Sequence, residues 1–203
     1  DYYVRDPASD GKRIVYRAGG DLFLFDPQKT GKKAVKKIDV EFHSPRVQRN
    51  RKFVKAASYL ESFRLHPEGH SLALTVRGKT FSMSNWEGAV LQHGQPHGVR
   101  YRLTEWLNDG KGLLVVNDED GEEAFEIHPE TTHAVTNGHP VRLAHLDIGR
   151  PVTIQLSPVG DLVAFSNHRY ELMLLDIPTQ TVRLLDASHH GRIMGIDWSP
   201  DGQ

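Results

Sequence analysis

Histidine is the side chain with the most chemistry to offer in this sequence. Twelve are present, and three groupings have the short spacings of metal ligands: His66/His70, His93/His97 and His189-His190. An i, i+4 pair of histidines converges on one ion when a helix carries it. His66 to His70 spans a Pro67-Glu68-Gly69 turn, and His93 to His97 encloses Gly94 and Pro96, so no metal site is expected at either. The acidic run Asn117-Asp118-Glu119-Asp120-Gly121-Glu122 has the flavour of a calcium loop. With Gly121 as the sixth position, however, Val116 falls at the first and Ile127 at the twelfth, where a calcium loop needs carboxylates. A solvated turn is the simpler expectation. No Gly-x-Ser-x-Gly elbow occurs, and no serine has neighbours that would activate it, so no catalytic residue is assigned. The absence of cysteine removes disulfides and thiolate ligands. No cofactor is called for.

Four other residues share one place in a recurring phrase. Arg64, Glu105, Gln155 and Asp197 each stand just before a turn, flanked by Phe63/Leu65, Thr104/Trp106, Ile154/Leu156 and Ile196/Trp198. In an extended strand, alternation with period two puts such a residue on the face opposite its neighbours. The bland account of the four is hydrogen bonding between adjacent sheets. The functional account is a charged lining near a common axis.

The elements that would position them are repeated strands. Glu61 to Gly88 reads as a strand, a His66-Pro67-Glu68-Gly69 turn, a strand over Leu72 to Val76, an Arg77-Gly78 turn and a third strand over Thr80 to Met83. Pro67 suits the early turn position, and Gly69 takes the left-handed conformation without a Cβ clash. The phrase returns with turn glycines at 110, 160 and 202, in steps of 41, 50 and 42 residues. That period, at four strands per unit, belongs to propeller blades. The fold class expected is therefore all-β: a partial β-propeller of about four four-stranded antiparallel blades and the start of a fifth. The blades fall at roughly 1–35, 61–101, 102–150 and 152–192, with a truncated blade from 193, all within a single propeller segment. Blade one is expected to open with a strand at Tyr2 to Val4.

The unequal step from Gly11 to Gly69 marks an insertion over 29–59. It carries ten Lys and Arg against Asp39 and Glu41, a net +8 in a chain whose formal net charge is −1. Arg46, Arg49, Arg51, Lys52 and Lys55 are the candidates for docking something acidic, with a solvated loop as the plainer alternative. Nucleic acid is not expected, since between Lys29 and Lys55 Phe42 and Phe53 are the only stacking aromatics. Composition, at 38% hydrophobic and 25% charged, is that of an ordinary globular chain. No apolar run approaches the ~20 residues that cross a bilayer, so no membrane partner is expected. A chain that begins without Met and stops within Ser199-Pro200-Asp201-Gly202 is expected to be a piece of something larger.

Ala56 to Gly69, AASYLESFRLHPEG, followed by Leu72 to Phe81, LALTVRGKTF, resembles the tricorn protease family, and the likeness runs over most of the chain. The resemblance implies a seven-bladed propeller. It also implies that this propeller forms an access channel for peptides to a serine peptidase site in a separate C-terminal half, which is not in this sequence. By the same resemblance the parent is a cytoplasmic homo-oligomer without ATP dependence, whose partners are peptides and its own other domains and subunits. A non-enzymatic binding propeller of the periplasmic type, or the propeller of a different peptidase, are the alternatives the sequence leaves open.

Overall fold

In a computed structural model, residues 2–41, 43–45, 47, 53–130 and 139–202 are described, and they form four antiparallel sheets of four strands. Every sheet is a meander in which each strand pairs with the next in sequence. The chain divides into two compact units, Asp1–Phe53 and Val54–Gln203.

The first unit holds β1 (Arg5–Ser9), β2 (Ile14–Ala18), β3 (Asp21–Phe25) and β4 (Val35–Ile38). Two expectations need correction. The opening strand begins at Arg5, not Tyr2, with a bulge around Asp6 at φ 51°. The fourth strand lies inside the stretch assigned to the basic insertion: Val35 pairs with Phe25 and Ile38 with Leu22. Lysine density concealed it, because Lys36 and Lys37 stand on a solvated strand and Lys37 Nζ lies 2.7 Å from Asp21. Tyr16 and Phe23, directly opposite each other on β2 and β3, stack with ring centroids 5.5 Å apart.

The second unit contains three sheets: β5 (Leu60–Leu65) to β8 (Leu91–His93), with β6 (Ser71–Val76) and β7 (Lys79–Ser84) between; β9 (Tyr101–Trp106), β10 (Gly112–Asn117), β11 (Ala124–Pro129) and β12 (Val141–Arg142); and β13 (Pro151–Leu156), β14 (Leu162–Asn167), β15 (Glu171–Asp176) and β16 (Thr181–Ala187). A short 3-10 turn, Ala56–Tyr59, leads into β5 in place of any longer helix.

The turn between the first two strands is built the same way each time. Gly69, Gly110, Gly160 and Gly202 have φ between 67° and 78°, a region that favours glycine. Gly69, Gly110 and Gly202 each donate a backbone hydrogen bond to the residue three before, at 2.8 to 2.9 Å. The first strands also carry a shared irregularity, with register shifts between Leu60 and Ser62, around Leu103, and between Pro151 and Thr153.

β9 lies against β5, β6 and β7 on one side and against β13 on the other, so the first strands of successive sheets are neighbours. The two interfaces of the middle sheet differ in chemistry. Toward the last sheet it is apolar: Leu114, Val116, Phe125 and Leu143 pack against Ile154, Val163, Phe165 and Leu175, and the Phe125 and Phe165 rings meet edge to face at 5.1 Å. Toward β5–β8 only Ala73, Tyr101, Trp106, Leu113 and Val115 form an apolar cluster, and much of the rest is polar.

Candidate functional site

Arg64 on β5 and Glu105 on β9 occupy equivalent places in adjacent first strands, and the fold brings them together. Arg64 Nε lies 2.6 Å from Glu105 Oε1 and 2.7 Å from Oε2, while its Nη1 donates to the Phe63 carbonyl at 3.1 Å. The Glu105 side chain is nearly buried and the Arg64 side chain is 43% exposed, so the pair has one wet end. Burial pushes the Glu105 carboxyl up to about 7, against the opposing pull of Arg64. Phe63 and Leu65, on the opposite face of β5, are 60% and 58% exposed.

Gln155 sits at the matching place on β13, paired across the sheet with Ala164, and its backbone carbonyl accepts a 3.0 Å hydrogen bond from Trp198 Nε1. Asp197 departs from the expectation of an inner-strand position. No strand forms over residues 188–202, and its carboxylate caps the Trp198 amide at 2.9 Å. Within residues 188–202 no second strand lies beside it to form a ladder. Of the docking candidates, Arg46, Arg49, Arg51 and Lys52 lie outside the described residues, while Lys55 is exposed beside the 3-10 turn.

A polar seam extends from the Arg64–Glu105 pair. Thr104 Oγ1 lies 2.8 Å from Thr75 Oγ1 and 2.9 Å from Thr80 Oγ1, all three buried. Beyond them Ser82 Oγ bonds His93 Nε2 at 2.8 Å, and the His93 ring faces His128 edge-on with centroids 6.2 Å apart. His128 Nε2 lies 2.5 Å from Glu126 Oε1, and Asn117 Nδ2 donates to Glu126 Oε2 at 2.5 Å. Burial alone would raise the Glu126 carboxyl, but His128, Asn117 and the Arg142 charge outweigh it and hold it below the usual carboxylate range. His93, desolvated and beside His128, is pushed down to about 4. Sequence alone did not mark this seam. Its only trace is that Thr75 stands where the next sheet has Val116.

Serine meets a histidine ring at Ser82 with His93, 2.8 Å apart, and at Ser71 with His70, 2.6 Å apart. Ser82 and His93 are buried, and among the described residues no carboxylate hydrogen-bonds the His93 ring; at the second pair Glu68 Oε2 stands 3.7 Å from His70 Nε2, beyond hydrogen-bonding distance, so neither pair has a third group that orients the base.

His66 and His70 converge without a helix, contrary to expectation. The tight turn itself brings His66, Glu68 and His70 together, with ligand atoms within 4.8 Å of one another and the two rings 3.9 Å apart. Their bonding still disfavours an ion. His66 Nδ1 accepts the Glu68 amide at 3.1 Å and Nε2 faces the Gly110 carbonyl at 3.0 Å, which commits both nitrogens of the ring. His66 thus ties the turn of one sheet to that of the next. Asn108 repeats the device, donating to the Ser157 carbonyl at 2.8 Å and the Gly160 carbonyl at 2.5 Å.

The acidic hairpin is the exposed turn expected of it over 119–122, and arginines tie its base to neighbouring strands. Arg102 and Arg150 reach Glu123 at 3.1 and 3.4 Å, Gln95 donates to Glu119 at 3.1 Å, and Arg142 binds Asp120, the Asn117 amide oxygen and the Glu122 carbonyl. These arginines come from up to 27 residues away, too far for a local pattern to announce them.

Four-stranded meanders with abutting first strands, linked turn to turn, define a β-propeller segment. Comparison with known proteins makes this specific: residues 60–203 match the model of the tricorn protease second β-propeller domain, and the chain belongs to that family. It is 34% identical over 203 residues to a tricorn protease homolog of Saccharolobus solfataricus, and 32% identical over the same length to a tricorn-like protease C-terminal subunit of Sulfurisphaera tokodaii. Both matches take in the whole chain but only 18% and 22% of the relative. The chain therefore spans about a fifth of the length of these proteins. Among solved structures, a tricorn protease superposes over the whole chain and 18% of its own length, at TM-score 0.63 and 22% identity. A TolB of Acinetobacter baumannii covers the whole chain and 47% of its own, at TM-score 0.53 and 20% identity. At these identities both speak for the fold alone.

Proposed function

We propose that this chain is part of the wall of a substrate-access channel in a tricorn-like serine peptidase, admitting peptides to a catalytic half outside these 203 residues. The observation that supports it best is the match of residues 60–203 to the tricorn second-propeller family; the Arg64–Glu105 pair, although it also bonds one sheet to the next, keeps a partly exposed charged side chain on adjacent first strands. First strands are the edges that approach one another from sheet to sheet, and a lining there meets whatever passes between them. A binding propeller of the periplasmic type is less well supported, since the matching family model is a protease's. On this reading the protein works in the cytoplasm as a homo-oligomer, and the basic residues Arg46, Arg49, Arg51, Lys52 and Lys55 dock another domain or subunit.

The test is turnover by the full-length protein of a long peptide and of a short chromogenic one, with Arg64→Ala and Gln155→Ala introduced. A channel wall predicts several-fold lower kcat/KM for the long substrate and little change for the short one. Equal effects on both, or none, would count against it. For the docking residues, Arg46→Glu, Arg49→Glu and Arg51→Glu together are expected to shift oligomer size and its salt response, given a Debye length of about 8 Å at physiological ionic strength. Unchanged assembly would leave that segment a solvated loop.

A further inference from the structure

An open cavity of about 650 Å³, lined by both charged and apolar groups, lies where the β6–β7 hairpin, the lead-in to β5 and the lead-in to β9 converge. It is distinct from the first-strand lining: the cavity takes Leu60 and Glu61 at the start of β5, at the Val76 end of the sheet, whereas Arg64 pairs with Ala73 further along.

The cavity has a fixed frame. Arg77 and Gly78 both have positive φ, which sets a tight hairpin; Arg77 N–H donates to the Tyr59 carbonyl at 3.1 Å, and Tyr101 N–H donates to the Gly78 carbonyl at 2.9 Å. A Cβ at residue 78 would stand 3.0 Å from Arg100 Cγ, so glycine lets the Arg100 stem lie across the hairpin. Most of the charge is consumed in building this frame. Glu61 Oε1 accepts the Gly78 amide at 2.9 Å, and Asp118 Oδ1 accepts the Arg100 amide at 2.8 Å. Lys79 Nζ donates to the Val99 and Gln95 carbonyls at 2.7 and 3.1 Å and faces the Tyr101 ring at 5.7 Å.

Two guanidinium groups are left over. Arg77 Cζ stands over the Tyr59 ring, 5.3 Å from its centroid, and Arg100 Nη2 meets Glu61 Oε2 at 3.9 Å, an ion pair too long for a hydrogen bond. Among the described residues neither guanidinium meets an acceptor at hydrogen-bonding distance. We propose that this cavity is a binding site for a carboxylate carried by a polypeptide segment, held between Arg77 and Arg100 with the Tyr59 ring as its apolar wall. A planar fork matches a carboxylate with two parallel hydrogen bonds, and stacking on an aromatic ring preorients that fork. The site is independent of the channel reading, since it requires nothing to pass the first-strand edges.

The experiment uses the full-length protein and fluorescence anisotropy with three labelled peptides of one sequence. The first has a central Glu and an amidated end, the second has Gln there and an amidated end, and the third has Gln and a free terminal carboxylate. At low salt at least one carboxylate peptide is expected to bind about tenfold more tightly than the neutral one, with a margin that shrinks as salt rises. Preference for the first assigns the site to side-chain carboxylates, and for the third to chain ends; either supports it. Arg77→Gln with Arg100→Gln should abolish the margin while leaving turnover of a short peptide intact. Arg77→Lys with Arg100→Lys keeps the charge but loses the fork, and should retain only part of the margin. Equal binding of all three peptides by the unaltered protein overturns the proposal, as does a margin that survives in either pair of substitutions undiminished.

Discussion

At residue scale the informative pair is Arg64 and Glu105. Their common place in the repeat is legible from sequence, because period-two alternation separates them from Phe63, Leu65 and Trp106. That they bond to each other was not legible, since nothing local links residues 41 apart. Removing the arginine leaves a nearly buried carboxylate without its partner, a loss of ~1–3 kcal/mol when the group is ionised. Glu105 titrates at about 7, so the cost depends on pH. We expect Arg64→Met to lower the melting temperature distinctly at pH 8 and much less at pH 5.5, where a neutral carboxyl no longer needs the guanidinium. Equal losses at both would mean that Arg64 contributes by packing its stem. The same logic separates what was seen of the histidines from what was missed. The spacing of His66 and His70 was visible, but the idea that only a helix lets i, i+4 side chains converge overlooked that a glycine turn folds the chain back within four residues.

At the scale of elements, the strands and turns were largely readable, because glycine at a fixed offset reports a backbone requirement and not a contact. The insertion boundary misled where lysines masked Val35–Ile38, and the arginines on the acidic hairpin were hidden by their distance along the chain. The turn glycines look alike in sequence yet are not equivalent in space. An added Cβ at Gly69 meets nothing within 4 Å, whereas one at Gly110 collides with the His66 ring. Gly69→Ala should therefore cost only the backbone strain of a left-handed alanine, ~1 kcal/mol. Gly110→Ala adds displacement of His66 and loss of the bond between neighbouring turns, and should cost at least twice as much. Denaturant midpoints of the two variants check this; equal losses would mean that the His66 link carries no stability. On the other side of the same sheet, Phe165→Ala empties the centre of the apolar interface and should cost ~3–5 kcal/mol by the same measurement.

At the scale of the whole second unit, the two interfaces of the middle sheet obey different physics. The one between β9–β12 and β13–β16 is mostly a layer of aliphatic and aromatic side chains, with Glu123 held between Arg102 and Arg150 at its rim. The one between β5–β8 and β9–β12 contains Glu105 and His93, both desolvated and both shifted into the range between pH 4 and 7. The two groups act in opposite directions. His93 in the folded protein sits at about 4, below its ordinary 6.5, so the unfolded chain binds the proton more readily and stability falls as pH drops from 6.5 toward 4. Glu105 sits at about 7, above its ordinary 4.5, so the folded protein binds the proton more readily and stability falls as pH rises from 4.5 through 7. Between 4.5 and 6.5 the two slopes oppose each other, which predicts a shallow pH dependence in the unaltered protein across that window. Variants should uncouple them. His93→Gln keeps a polar group against Ser82 and removes the acid-side loss, so stability should then decline steadily from pH 4.5 to 7. Glu105→Gln removes the alkaline-side loss, so stability should rise over the same range. Melting temperatures of the three proteins measured from pH 4 to 8 decide the matter. Parallel curves would show that neither group titrates differently on folding and would place the pH response outside this seam.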